Sequence, residues 1–133
     1  MAILLAALAG CGGESGGTST ASAPAKPAAR IRVHLVGQSH HPRVGKRWHY
    51  EVRVTSAAGK PVAATVHLQF LFGGVPVGQV GRHHVANGVW QETFGTRGNP
   101  AFPARARGQP LVLQAVVTAL GETRRANYWI RVR

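Results

Sequence analysis

Trp48-His49-Tyr50-Glu51-Val52-Arg53-Val54-Thr55 is the stretch that decides the fold. Apolar Trp48, Tyr50, Val52 and Val54 alternate with His49, Glu51, Arg53 and Thr55, and successive side chains of a strand point to opposite faces. One face is dry and the other wet, which is the pattern of a half-buried strand. The same period recurs on both sides of this segment. Ile31, Val33 and Leu35 alternate with Arg30, Arg32 and His34. Val62, Ala64, Val66, Leu68, Phe70 and Phe72 share a face opposite Ala63, Thr65, His67 and Gln69. Near the end, Ala126, Tyr128, Ile130 and Val132 alternate with Arg125, Asn127, Trp129, Arg131 and Arg133. Leu111 to Ala119 is apolar on nearly both faces, as in a central strand. Trp48, Tyr50, Phe70, Phe72 and Tyr128 are expected in the core, while Trp90 and Phe94 share a face with Glu92.

Turn residues fall between these runs. Gly59-Lys60-Pro61 separates the second and third strands, and Gly73-Gly74 follows the third. Asn87-Gly88, between Arg82–Ala86 and Val89–Phe94, predicts a two-residue hairpin, because both central positions of that turn need positive φ. Gly121 turns the chain into the last strand. The connection from Gly95 to Pro110 holds Pro100, Pro103 and Pro110, lacks helical periodicity, and is expected to cross from one sheet to the other. The fold class is all-β: a single antiparallel sandwich of about seven strands. Val52-Arg53-Val54-Thr55 followed by Gly59-Lys60-Pro61-Val62 resembles a bacterial immunoglobulin-like domain, as do Val77-Gly78, Asn87-Gly88-Val89-Trp90 and the Gly121 turn. Two features depart from antibody domains: there is no cysteine pair between sheets, and the tryptophan sits in the second strand, not the third.

Ahead of the domain at residues 30–133 lies a different kind of sequence. Leu8-Ala9-Gly10-Cys11 closes an apolar start and holds the chain's single cysteine. It resembles the lipobox of bacterial lipoproteins, which implies acylation of Cys11 and removal of residues 1–10 as a signal-peptide remnant. Small residues before the cysteine suit an extended backbone entering a peptidase cleft. Met1 to Ala7 lacks the positive charge that opens a signal peptide, which places the expected start upstream of Met1. Residues 12–29 are Gly, Ser, Thr, Ala and Pro apart from Glu14 and Lys26. That composition cannot bury enough apolar surface to offset its ordering entropy, so a disordered tether is expected, reaching roughly 20–25 Å. The implied location is the extracytoplasmic face of the cell membrane, held by lipid.

Charge is lopsided. The chain carries 16 Lys+Arg against 4 Asp+Glu, a formal net charge of +12, and all but Lys26 and Glu14 of these fall in the domain. A cationic body on a membrane tether is drawn to anionic wall polymer or lipid. The partners expected are the membrane through its lipid anchor, and an envelope protein or anionic wall polymer. Export argues against nucleic acid.

No catalytic signature is present: there is no G-x-S-x-G elbow, no phosphate-binding glycine loop and no spare thiol. His49, Glu51 and Arg53 share one strand face and read as a solvated ladder of charges. No cofactor is implied. The pairs His40-His41 and His83-His84 are the only metal-ligand leads, for copper or zinc. Within a strand His83 and His84 must point to opposite faces, and nearby Arg43, Lys46, Arg47 and Arg82 oppose a cation. Trp129 points outward among Asn127, Arg131 and Arg133. In an immunoglobulin-like arrangement the last strand lies beside Leu111–Ala119 and then the third strand. This gathers Trp129, Arg131, Gln114, His67 and Gln69 on one solvent face, a candidate surface for sugar or protein. The sequence thus points to a non-enzymatic, membrane-anchored binding or structural module.

Overall fold

Alternation of apolar residues produces seven strands, β1 (Ile31–Gly37), β2 (Trp48–Ser56), β3 (Ala64–Phe72), β4 (Val75–Val85), β5 (Val89–Phe94), β6 (Pro110–Ala119) and β7 (Glu122–Arg131). They are seen in a computed structural model that describes residues 30–133. Cys11, the 1–10 segment and the 12–29 tether lie outside the described residues. Two antiparallel sheets form, one ordered β1-β2-β5 and the other β4-β3-β6-β7. The result is an immunoglobulin-like β-sandwich, with one 3-10 turn at Ala104–Ala106 in the long connection.

The inward faces meet as the alternation requires. Trp48, Tyr50, Val52 and Val54 of β2 are each at most 1% exposed, and Val66, Leu68, Leu113, Ala115 and Val117 oppose them fully buried. The Trp48 indole N–H donates to the Ser39 carbonyl at 2.9 Å, so the one polar atom of this core anchor is satisfied. β6 is central, paired with β3 on one side and β7 on the other; its inward Leu113, Ala115 and Val117 are buried, while outward Val112, Gln114 and Val116 are half-buried.

The Asn87-Gly88 expectation is corrected. β4 and β5 belong to different sheets, so this dipeptide carries the chain across the sandwich instead of closing a hairpin. Gly88 has φ +71, donates nothing to a hairpin ladder, and accepts the Val54 N–H at 2.7 Å. Only Gly88 takes positive φ and Asn87 does not, so the two-residue hairpin turn, which needs both, does not form, and the single positive φ serves the crossing. Phe72 is also corrected: it ends β3 at the Gly73-Gly74 turn and is 44% exposed. Val77-Gly78 lies inside β4, which bulges twice against β3 and leaves Val77 and Val80 unpaired. The expected crossing at Gly95–Pro110 is present, joining β5 to β6.

The outer edge of β7 is covered at its C-terminal end. Arg131 N–H donates to the His40 carbonyl and Arg133 N–H to the Pro42 carbonyl, while Val44 N–H donates to the Arg133 carbonyl, each at 2.8 Å. Segment 40–44 therefore runs parallel to β7 and blocks strand addition there.

Candidate functional site

The structure places all five candidate face residues on the outside of the β4-β3-β6-β7 sheet. In-register pairing aligns Gln69 with Gln114 and Gln114 with Asn127. Their amides form a row: Gln69 donates to Gln114 at 2.8 Å and Gln114 to Asn127 at 3.0 Å. One step along the strands, His67 pairs with Val116, which pairs with Arg125. On the other side Trp129 pairs with Val112, and Arg131 with Pro110. Because the amides bond to one another, the middle of this face is a self-satisfied polar ladder, and the distinctive chemistry sits at the Trp129 end.

Trp129 is 55% exposed. One side of its indole is stacked by the His40 imidazole, with centroids 4.0 Å apart and planes 13° from parallel. The same imidazole stacks on Tyr128 at 4.2 Å, and its Nδ1 lies 2.7 Å from the Trp129 carbonyl. His41 meets Trp129 edge-on at 5.8 Å. These contacts follow from the parallel pairing of 40–44 with β7, which no local sequence pattern announces. A cleft of about 600 Å³ separates Trp129, Arg131 and His41 from the Gly73-Gly74 turn.

The histidine pairs are not brought together. His40 and His41 lie at the β7 edge, whereas His83 and His84 lie on β4, the opposite edge of the same sheet. Four strand spacings, about 19 Å, divide them, because the 40–44 segment lies one step beyond β7. His83 faces inward and stacks on Trp90 with centroids 3.7 Å apart, while His84 faces outward beside Thr65. Among the described residues no group of three His, Cys, Asp or Glu side chains could hold an ion.

A polar chain inside the sandwich was not foreseen. The Trp90 indole donates to the Tyr50 hydroxyl at 3.2 Å, and that hydroxyl donates to the Glu92 carboxylate. Asn99 donates to the other Glu92 oxygen at 2.9 Å. Burial pushes the Tyr50 phenol well above its ordinary range, and the Glu92 carboxylate adds to the shift; the hydroxyl is a fixed donor. The available signal was Glu92 itself, an inward carboxylate between Trp90 and Phe94 that needs partners. On the outer face of the other sheet, Glu51 pairs with Arg53 and accepts from Gln91. The Arg53 guanidinium holds its carboxyl below the usual range, with Gln91 adding, so this row is an ion ladder and a poor proton donor.

The cations are distributed unevenly along the long axis. One end of the sandwich is formed by the 38–47 loop, the Gly73-Gly74 turn, the 95–109 connection and the last residues of the chain. There stand Arg43, Lys46, Arg47, Arg97, Arg105, Arg107, Arg131 and Arg133, and those segments contain no acidic side chain. The nearest carboxylate, Glu92, is already engaged by Tyr50 and Asn99. The chain enters the domain at the other end, where the Arg30 and Ile31 amides donate to Glu122 at 2.7 and 3.1 Å.

No family model matches the chain, and no curated protein matches it. Among solved structures it is similar to the CARDB domain of a Pyrococcus furiosus protein, solved in complex with di-metal ions, at 19% identity and TM-score 0.49, over 77% of this chain and 87% of that one. It is similar to the Bacillus subtilis sporulation control protein Spo0M at 12% identity and TM-score 0.48, over 79% of this chain and 50% of that one. A Pseudomonas fluorescens alkylpurine DNA glycosylase, bound to DNA containing an abasic site analog, matches at 15% identity and TM-score 0.41, over 77% and 31%. The strand order and register, not these likenesses, define the fold.

Proposed function

We propose that this chain is a membrane-anchored, non-catalytic interaction module of the cell envelope, held by an acyl group on Cys11 at the extracytoplasmic face. The lipobox-like Leu8-Ala9-Gly10-Cys11 and the small-residue stretch at 12–29 support the anchor. The sandwich supports the non-catalytic part: its interior is core, and its carboxylates are tied to Arg53, to Tyr50 and Asn99, and to Arg124. The observation that carries the binding role is the exposed Trp129 indole, oriented by His40 beside Arg131 on the outer sheet face. A rigid aromatic with one free side, next to a guanidinium, is suited to a ligand or partner surface.

Metabolic labelling with palmitate tests the anchor. The expected result is label in the wild-type chain and none in Cys11→Ser. An unlabelled wild-type chain, recovered with its first ten residues attached, overturns the reading.

A further inference from the structure

We propose that the cationic end of the sandwich docks on an anionic phospholipid bilayer, with the β3–β4 hairpin tip entering the boundary between headgroups and acyl chains. Two independent features meet at this end. The first is the set of eight Arg and Lys side chains from three chain segments that contain no acidic side chain. Both carboxylate ion pairs of the described residues, Glu51–Arg53 and Glu122–Arg124, lie outside those segments. The second is apolar exposure: Phe72, Val75, Val77 and Trp129 are 44%, 62%, 58% and 55% exposed.

The geometry joins these features. Gly73-Gly74 makes the tip of the hairpin, with nothing within 4 Å of a Cβ built at either position, so the tip is free on its outer side. The cleft shared with Trp129 and Arg131 flanks it on one side. On the other side an apolar cleft of about 350 Å³ runs between Val77 and the 95–109 connection, floored by Phe70, Phe94 and Phe102 and carrying Arg105. Apolar residues thus stand between guanidinium groups.

Cations alone would suit any polyanion, including wall polymer. The exposed valines and phenylalanine decide against a soluble one, because a hydrated polymer offers nothing to an apolar tip. An anionic bilayer matches both layers: phosphates take the arginines, the acyl boundary takes the hairpin tip, and an indole settles at the interface. The chain enters the domain at the opposite end, at Arg30. The 18 residues from 12 to 29, at up to about 3.5 Å each, are long enough to pass a sandwich about 30 Å tall and let this end face the same membrane. The inference deepens the envelope reading but does not need the acyl group.

The test therefore uses the full unacylated chain, Cys11→Ser, so that failure here and failure of the palmitate test are separate results. Cosedimentation is measured with phosphatidylglycerol/phosphatidylcholine vesicles, with phosphatidylcholine vesicles, and with polyphosphate as a soluble polyanion. The expected result is preference for the anionic vesicles by about tenfold or more, weakened by high salt. Val75→Ser with Val77→Ser, which leaves charge untouched, should lower vesicle binding about tenfold while leaving polyphosphate binding unchanged. Arg105→Gln with Arg107→Gln should weaken both. Equal binding to the two vesicle types, or full vesicle binding by the serine variant, overturns the proposal; the latter would assign this end to a polyanion. Thermal melts of each variant confirm folding, as all four positions are exposed.

Discussion

Gly73-Gly74 and Asn87-Gly88 both place glycine at positive φ between two strands, yet one turns the chain within a sheet and the other passes it between sheets. The difference lies in what surrounds them. Nothing lies within 4 Å of a Cβ built at Gly73 or Gly74. A Cβ at Gly88 would collide with the Val54 carbonyl and lie 3.0 Å from that of Val62. One turn is fixed by backbone conformation alone and leaves its outer surface free. The other is wedged against β2 and the strand-lead at Val62, so packing fixes it as well. The free turn belongs to the cationic end and the wedged one to the end where the chain enters.

Substituting each glycine by alanine sharpens this contrast. Gly88→Ala carries both the left-handed strain and the collision, and is expected to cost about 3 kcal/mol. Urea denaturation would read it as a lower midpoint at unchanged slope. Gly74→Ala carries the strain alone at φ +81, for about 1 kcal/mol. Equal losses in the two variants would break the contrast and mean that the 87–88 crossing has room to relax.

The same contrast marks what was legible in the sequence. Most strand positions, the core face of β2, the order β3-β6-β7 and the outward Trp129 were readable, because period-two burial is written in consecutive residues; β4 was read only from Arg82, since its two bulges against β3 break the alternation between Val75 and Gly81. Asn87-Gly88 was misread because the dipeptide permits positive φ at both positions without requiring it, and only Gly88 takes it; nor does it name the sheet that receives the next strand. Phe72 was misread because alternation assigns a face but not where the opposing core ends. The His40–Trp129 stack had no local signature, since it depends on 40–44 pairing with residues about ninety positions away. For the same reason the eight cations looked like overall basicity until topology gathered the 38–47 and 95–109 segments at one end.

Glu122 offers the finest comparison of the two ends, because it ties the incoming chain by a charge. Its carboxylate accepts the Arg30 and Ile31 amides and pairs with Arg124 at 2.7 Å. The Arg124 guanidinium holds its carboxyl below the ordinary value of 4.5, and the two amides add to this. A carboxyl lowered on folding contributes its full stabilisation above the unfolded value and loses it as pH falls through the native one. The wild type should therefore weaken as pH drops below 4.5, and Glu122→Gln should weaken less over that window, from a slightly lower neutral plateau. Glu51, lowered by Arg53, titrates in both proteins and cancels from the difference. Parallel acid limbs in the two proteins would remove Glu122 from the account. Amide exchange locates the effect: acidification should loosen Ile31 beside its carboxylate in the wild type, and leave Val75 at the cationic end unchanged, where no acidic side chain stands in the surrounding segments.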